Sequence, residues 1–154
     1  MLFLLFQLGK DRYALEAGQV VEVLPLINFK RIPNAPSSVA GVFNFHGTPV
    51  PLIDLTELAF GRPSQARMST RIVLINYLIE SGERHLIGLI AEYVMETLQR
   101  AESDFVDSGV SAIDSPYLGS VMTDKYGIVQ RIEVSRLLPQ SLREQLFCGL
   151  VDSA

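Results

Sequence analysis

A single cysteine, Cys148, stands among the 154 residues. It cannot close an intramolecular disulfide and offers no thiol cluster to a metal, so the chain reads as a protein of a reducing compartment, most simply the cytosol. Histidine is nearly as scarce: His46 and His85 are isolated in sequence, and no metal site is expected from them. No apolar run approaches the roughly 20 residues of a membrane helix, so no membrane insertion is expected. The opening MLFLLFQLGKDRY loses its apolar run after Phe6 and has no basic leader, which favours a first strand over a signal peptide. Positive charge is also short, with 13 Lys+Arg against 17 Asp+Glu and a net charge of -4. Nucleic acid is thereby disfavoured as a partner, because it demands a concentrated positive field. Neither a nucleophile elbow nor a glycine-rich phosphate loop is present, and no cofactor is called for.

What remains is the composition of a folded domain, 48% hydrophobic and 19% charged. Residues 2–8 are dense in Leu and Phe, Gly9-Lys10-Asp11 reads as a turn, and Tyr13-Ala14-Leu15 resumes an extended pattern, which predicts a hairpin. QVVEVLPLI, residues 19–27, predicts a strand that ends at or just after Pro25 and carries one charge, Glu22. NFKRIPNAPSS, residues 28–38, reads as a surface loop.

VAGVFNFHGTPVPLIDL, residues 39–55, predicts a hairpin reversing near His46-Gly47. Alternation places Val39, Gly41, Phe43 and Phe45 on one face and Ala40, Val42, Asn44 and His46 on the other, with both phenylalanines assigned to the core. Pro49 and Pro51 lack backbone donors, so the return strand is expected at an edge or a bulge. Asp54 is positioned to cap a short helix, LTELAF, ended by Gly61-Arg62-Pro63.

Residues 62–70 read as a linker or a long loop, followed by apolar strands in RIVLINYLIE and RHLIGLIAEYVMETL joined at Ser81-Gly82-Glu83. Residues 101–116 are acidic and irregular. A last hairpin, YLGSVMTDKYGIVQRIEV, turns near Asp124-Lys125-Tyr126-Gly127. SLREQLFCGLV predicts a closing helix with Ser141 as cap and Glu144 three residues on.

The two halves repeat. Leu15, Ala17, Val20, Glu22 and Leu24 align with Leu89, Ala91, Val94, Glu96 and Leu98. Val50, Ile53, Asp54, Leu55 and Leu58 align with Val129, Ile132, Glu133, Val134 and Leu137, and Gly41 with Gly119 after one insertion. The expected fold is therefore mainly β, two similar small barrels packed together with short helices, one of them C-terminal.

The succession FQLGKDRYAL, VVEVLPL, RIPNAPSSVAGVFNFHGTPVPLIDL and HLIGLIAEYVMETL resembles the CheW family, the adaptor domains of bacterial chemosensory arrays. The likeness runs from residue 3 to 140, and the segment from Arg31 to Leu55 is its most specific part. It implies two five-stranded SH3-like barrels around a shared core, within one domain spanning 1–154. Subdomain bounds near 15–65 and 1–14 plus 66–140 follow, leaving strand exchange between them open, with a C-terminal helix or tail at 141–154. It also implies no catalysis. Members bridge the cytoplasmic tips of chemoreceptors to the regulatory domain of a CheA-type histidine kinase, which has the same double-barrel fold. The implied location is cytoplasmic, at membrane-associated arrays, with self-association or ring formation with the kinase.

Carried over by position, Val20, Glu22 and Val23 fill the family's V-x-E-V strand, and Arg31, Ile32, Pro33 and Pro36 its connecting loop. Gly41, Asn44 and Gly47 fit its G-V-x-N-x-R-G hairpin, Asp54-Leu55 its I-D-L end, and Gly88 the strands presenting a receptor-facing groove. The implied partner-binding set is Val20, Glu22, Val23, Arg31, Gly41, Asn44, His46, Gly47 and Gly88. His46 departs from the family by replacing a characteristic Arg, and the terminal hairpin carries a shorter apolar strand. Arg is a permanently charged bidentate fork and His a shorter, titratable group, so the change points to a dedicated pathway with its own receptor and kinase.

Other readings compete. His46 with Asp54 or Glu22 could form an acid–base pair, but no nucleophile or substrate pocket accompanies them. His85, in a turn with Glu83 and Arg84, reads as a surface residue, and Glu22 alone as the wet face of a half-buried strand. A generic β-barrel binding module with an unrelated partner is the alternative.

Overall fold

The computed structural model describes residues 1–78, 82–144 and 146. Ten strands appear among them: β1 (Leu2–Leu8), β2 (Asp11–Glu16), β3 (Val20–Pro25), β4 (Val39–Phe45), β5 (Thr48–Asp54), β6 (Arg71–Leu78), β7 (Arg84–Ala91), β8 (Tyr93–Gln99), β9 (Leu118–Asp124) and β10 (Gly127–Ile132). They form two five-stranded sheets, β8-β1-β2-β10-β9 and β3-β6-β7-β5-β4. An isolated antiparallel bridge curls each sheet toward closure: Val106 to Val121 in the first, hereafter barrel I, and Lys30 to Val42 in the second, barrel II. The mainly β, two-barrel architecture read from the sequence is present.

The central strands explain their own sequences. In β1, Leu4, Phe6 and Leu8 enter a core shared by both barrels, while Phe3 and Leu5 fill the interior of barrel I. In β6, Val73, Ile75 and Tyr77 join the shared core and Ile72 and Leu74 the interior of barrel II. A strand buried on both faces needs an unbroken apolar run, which is what LFLLF and IVLI supply. Each fully buried side chain of this kind contributes about 1.5–3 kcal/mol.

Hairpins are exchanged between the halves. The β1–β2 hairpin joins β8, β9 and β10 through a parallel pairing of β2 with β10, and the β6–β7 hairpin joins β3, β4 and β5 through β5 with β7. Residues 71–91 therefore lie in the sheet of residues 20–54, whereas the bounds read from the sequence group them with 1–14. Sequence defines a hairpin locally, but which sheet receives it is decided by parallel pairing between distant segments.

Three local expectations are corrected. RHLIGLIAEYVMETL divides at Glu92, a buried acid that ends β7 and starts the crossing to β8 in the other sheet. The proline-bearing β5 is an interior strand between β7 and β4. Pro49 and Pro51 are tolerated because pairing with β7 begins only at Leu52, and the bulge lies in β4 between Val39 and Gly41. The closing helix begins at residue 140, with the Pro139 carbonyl accepting from Leu142 and Arg143, so Ser141 sits inside its first turn instead of capping it. The part of that helix expected at 147–151 lies outside the described residues.

The short helix after β5 matches its signals. In α1 (Leu55–Phe60) the Asp54 carboxylate accepts from the amides of Thr56 and Glu57, and Gly61 closes the helix at φ 71°. None of the helices among the described residues is long and apolar enough to cross a membrane.

Candidate protein-docking site

The predicted contact residues divide into those that build a surface and those that present it. At the β4–β5 turn, His46 and Gly47 both take positive φ, 50° and 88°. A two-residue loop with that geometry matches the twist of its flanking strands, and His is among the few non-glycine residues that enter it readily. Asn44 Oδ1 accepts the Gly47 amide at 2.7 Å, so Asn44 and Gly47 are turn builders. The exposed His46 ring packs edge-on against Phe45, 4.4 Å between centroids, and makes no bond to Glu22 among the described residues.

Gly41 and Gly88 are buried. A Cβ on Gly41 would collide with the Lys30 carbonyl and the Phe29 ring, so this glycine lets the chain after β3 close onto β4. A Cβ on Gly88 would lie 2.6 Å from Leu52, 3.0 Å from Ile72 and 3.1 Å from Phe43, inside barrel II. Both residues therefore serve the packing beneath a surface, Gly88 from the interior of barrel II. The reason is register: Gly88 stands beside Leu52 in the parallel β5–β7 pair, leaving no room for a side chain.

Val20 is half-buried against the shared core, while Glu22 and Val23 are exposed on β3, one of the two edge strands of barrel II. A bulge at Val21 breaks the β3–β6 register and turns Val21 outward beside them. Beyond β3, Arg31 stacks its guanidinium over the Phe29 ring at 5.8 Å. The adjoining backbone bonds Lys30 N to Val42 O at 2.9 Å and Val42 N to Lys30 O at 2.8 Å.

Between this segment and the hairpin lies an open, mostly apolar depression of about 420 Å³, lined by Lys30, Ile32, Val42, Phe43, Asn44, Gly47 and Pro49. Lys30, Val42 and Pro49 were not singled out in the sequence as contact residues. Ile32, an exposed apolar residue within a polar loop, was the one local signal for it. Phe43 lies in the barrel II interior as expected, and Phe45 is half-buried against it. His85, expected at the surface, is half-buried with Nε2 3.3 Å from Glu83 Oε2. No cluster of His, Cys, Asp or Glu suited to a metal occurs among the described residues.

Barrel I repeats this surface with other residues. Met95 is the exposed bulge residue opposite Leu5 and Phe6 of β1, as Val21 is in barrel II. Val106 closes the barrel onto Val121, and the adjacent β9–β10 hairpin exposes Tyr126 and Ile128. Its tip is tied down by Arg12, whose two guanidinium nitrogens donate to Asp124 at 2.8 and 2.7 Å. That fork holds the Asp124 carboxyl down at about 2.

The chain has relatives with the same pattern. It is 29% identical over 103 residues to the chemotaxis protein CheW of Helicobacter pylori, covering 66% of this chain and 59% of that protein. It is likewise 29% identical over 96 residues to CheW of Klebsiella aerogenes, covering 62% and 55%. The matches thus span little more than half the length of these relatives. A crystal structure of the scaffolding protein CheW from Thermoanaerobacter tengcongensis superposes with a TM-score of 0.79 at 22% identity, over 92% of this chain and 89% of that one, and so shares the fold. Residues 2–142 match the CheW-like domain, and the chain belongs to that family.

Proposed function

We propose that this protein is a non-catalytic adaptor coupling chemoreceptor tips to a CheA-type histidine kinase in a cytoplasmic chemosensory array. The observation that carries the reading is the duplicated surface. Barrel II offers the Lys30–Val42 closure beside an apolar depression, and barrel I offers the Val106–Val121 closure beside Tyr126 and Ile128. Two matched faces on barrels joined by a shared core suit a linker that joins a partner of the same double-barrel fold at each end, and repeated head-to-tail contact of that kind closes a ring. The exposed Val21-Glu22-Val23 edge offers a further surface, suited to an apolar, amphipathic helix of a receptor tip.

The pathway is a dedicated one in this reading, because the hairpin tip carries His46 where the family has Arg. Histidine at that corner removes a permanent charge and a two-pronged donor from the contact. The test is titration calorimetry of the purified protein against the regulatory domain of its own cell's kinase and against a dimeric receptor-tip fragment. Glu22→Ala and His46→Ala are measured beside wild type, and a kinase from a flagellar system serves as comparator. Binding to both partners, weakened by either substitution, supports the adaptor. Binding to neither supports a generic module, and equal affinity for the two kinases removes the dedicated pathway.

A further inference from the structure

The loop that joins the two repeats crosses the seam between the barrels, and two buried carboxylates grip it there. Asp54, at the end of β5, accepts from the Ser64 amide at 2.8 Å and the Ser64 hydroxyl at 2.5 Å. Glu92, just past the end of β7, accepts from the Gln65 amide at 2.8 Å and from the Arg62 guanidinium at 3.3 and 3.4 Å. β5 and β7 are parallel neighbours, with Asp54 opposite Ile90, so both acids emerge at the same end of barrel II.

Glu92 also reaches the other barrel. Its Oε1 accepts the Gly9 amide, in the β1–β2 turn of barrel I, at 2.7 Å. A Cβ on Gly9 would lie 2.7 Å from Arg62 Nη2, so turn and strap touch directly. The Glu92 carbonyl accepts from the hydroxyls of Ser69 at 3.2 Å and Thr70 at 3.3 Å, fastening the loop again just before β6. At the matching crossing from β2 to β3 the equivalent residue is Gly18, which has no side chain to do any of this.

We propose that Glu92 is a one-sided latch: its buried carboxylate fastens the inter-repeat strap, residues 62–65, and the β1–β2 turn of barrel I to the crossing strand. Opening the seam begins there, by release of the Gly9 and Gln65 amides, while the strands on either side stay paired. The inference stands on this geometry and is independent of the adaptor reading. Asp54 supplies an internal control, because it grips Ser64 without touching barrel I.

The experiment is amide hydrogen exchange on the full chain, resolved by residue, for wild type, Glu92→Gln and Arg62→Ala. The latch predicts exchange about tenfold faster at Gly9 and Gln65 in Glu92→Gln, a smaller rise in Arg62→Ala, and little change at Ser64 or in β1 and β6. Unchanged exchange at Gly9 and Gln65 in Glu92→Gln overturns it, and so does uniform acceleration across all strands in both variants. Should Glu92→Gln fail to fold, Arg62→Ala decides, since its side chain is partly exposed: local acceleration at Gly9 and Gln65 supports the latch and no change overturns it.

Discussion

Leu52 and Arg131 occupy matching places in the two barrels, each on the strand that pairs in parallel with the exchanged hairpin. Leu52 is fully buried beside Gly88. Arg131 is buried beside Ala14, with its guanidinium over the rings of Phe3 at 5.3 Å and Phe105 at 5.9 Å. Three carboxylates surround it, Glu102 at 3.2 Å, Glu16 at 3.5 Å and Glu133 at 3.6 Å. A second matched pair repeats the contrast: Phe45 and Leu86 pack against the barrel II interior, and their counterparts Asp124 and Arg12 form the bidentate ion pair. One topology is thus filled in two ways. Barrel II relies on close apolar packing that needs a glycine, and barrel I relies on a guanidinium held by partly exposed acids.

The largest expected effect comes from importing one solution into the other barrel. Leu52→Arg places a cation among the apolar side chains of the barrel II interior, and a loss of more than about 4 kcal/mol, seen as failure to fold or a collapsed urea midpoint, is expected. Gly88→Ala is next, at about 2 kcal/mol, because its Cβ must displace Leu52, Ile72 and Phe43, whereas Ala14 already tolerates a methyl in barrel I. The reverse import is milder: Arg131→Leu is expected to cost about 1 kcal/mol in urea denaturation, since the three acids can rehydrate, and Arg131→Ala about 2–3 kcal/mol through the added cavity. A loss from Arg131→Leu as large as that from Leu52→Arg would abolish the distinction between the barrels.

Acid should then sharpen the comparison. The Asp124 carboxyl titrates at about 2 in the fold against its ordinary 3.8. A depressed carboxyl contributes stability that is full above the ordinary value and is lost as pH falls toward the folded one. About 1 kcal/mol, after allowance for solvent screening, is expected to disappear between pH 4 and 2 and to be absent in Asp124→Asn. Glu92 adds in the same direction. Burial pushes its carboxyl up, but the Gln65 amide, Arg62 and the Gly9 amide together leave it below the ordinary range. The smallest effect belongs to the hairpin tip, where His46→Asn should stabilise by about 0.5 kcal/mol in thermal denaturation because Asn accepts positive φ more easily.

Much of this was legible in the sequence, for reasons that are local. The α1 cap and stop, the His46-Gly47 reversal and the Asp124–Gly127 turn are each fixed by residues within four positions of one another. The repeat exposed the two-barrel plan because equivalent strands carry equivalent alternation, down to matching bulges at Val21 and Met95. Nonlocal features were not legible. Arg131 sits in a strand whose periodicity does not reveal that Glu16 and Glu102 arrive from elsewhere to hold it. Gly41 and Gly88 look like motif residues, and only the register of neighbouring strands shows them to be clearances for Lys30 and Leu52. The depression was missed for the same reason, since the Lys30–Val42 closure brings its walls together.

The exchange of hairpins also has a temporal consequence. Barrel II cannot complete until β7 has been synthesised, although its first strand begins at Val20, and barrel I must wait for β10 although it starts with Leu2. During translation, Phe3 and Leu5 leave the ribosome long before the strands that cover them. The β1–β2 hairpin therefore has no sheet to join until β8, β9 and β10 follow it, and its pairings with them are among the contacts of largest sequence separation in the fold.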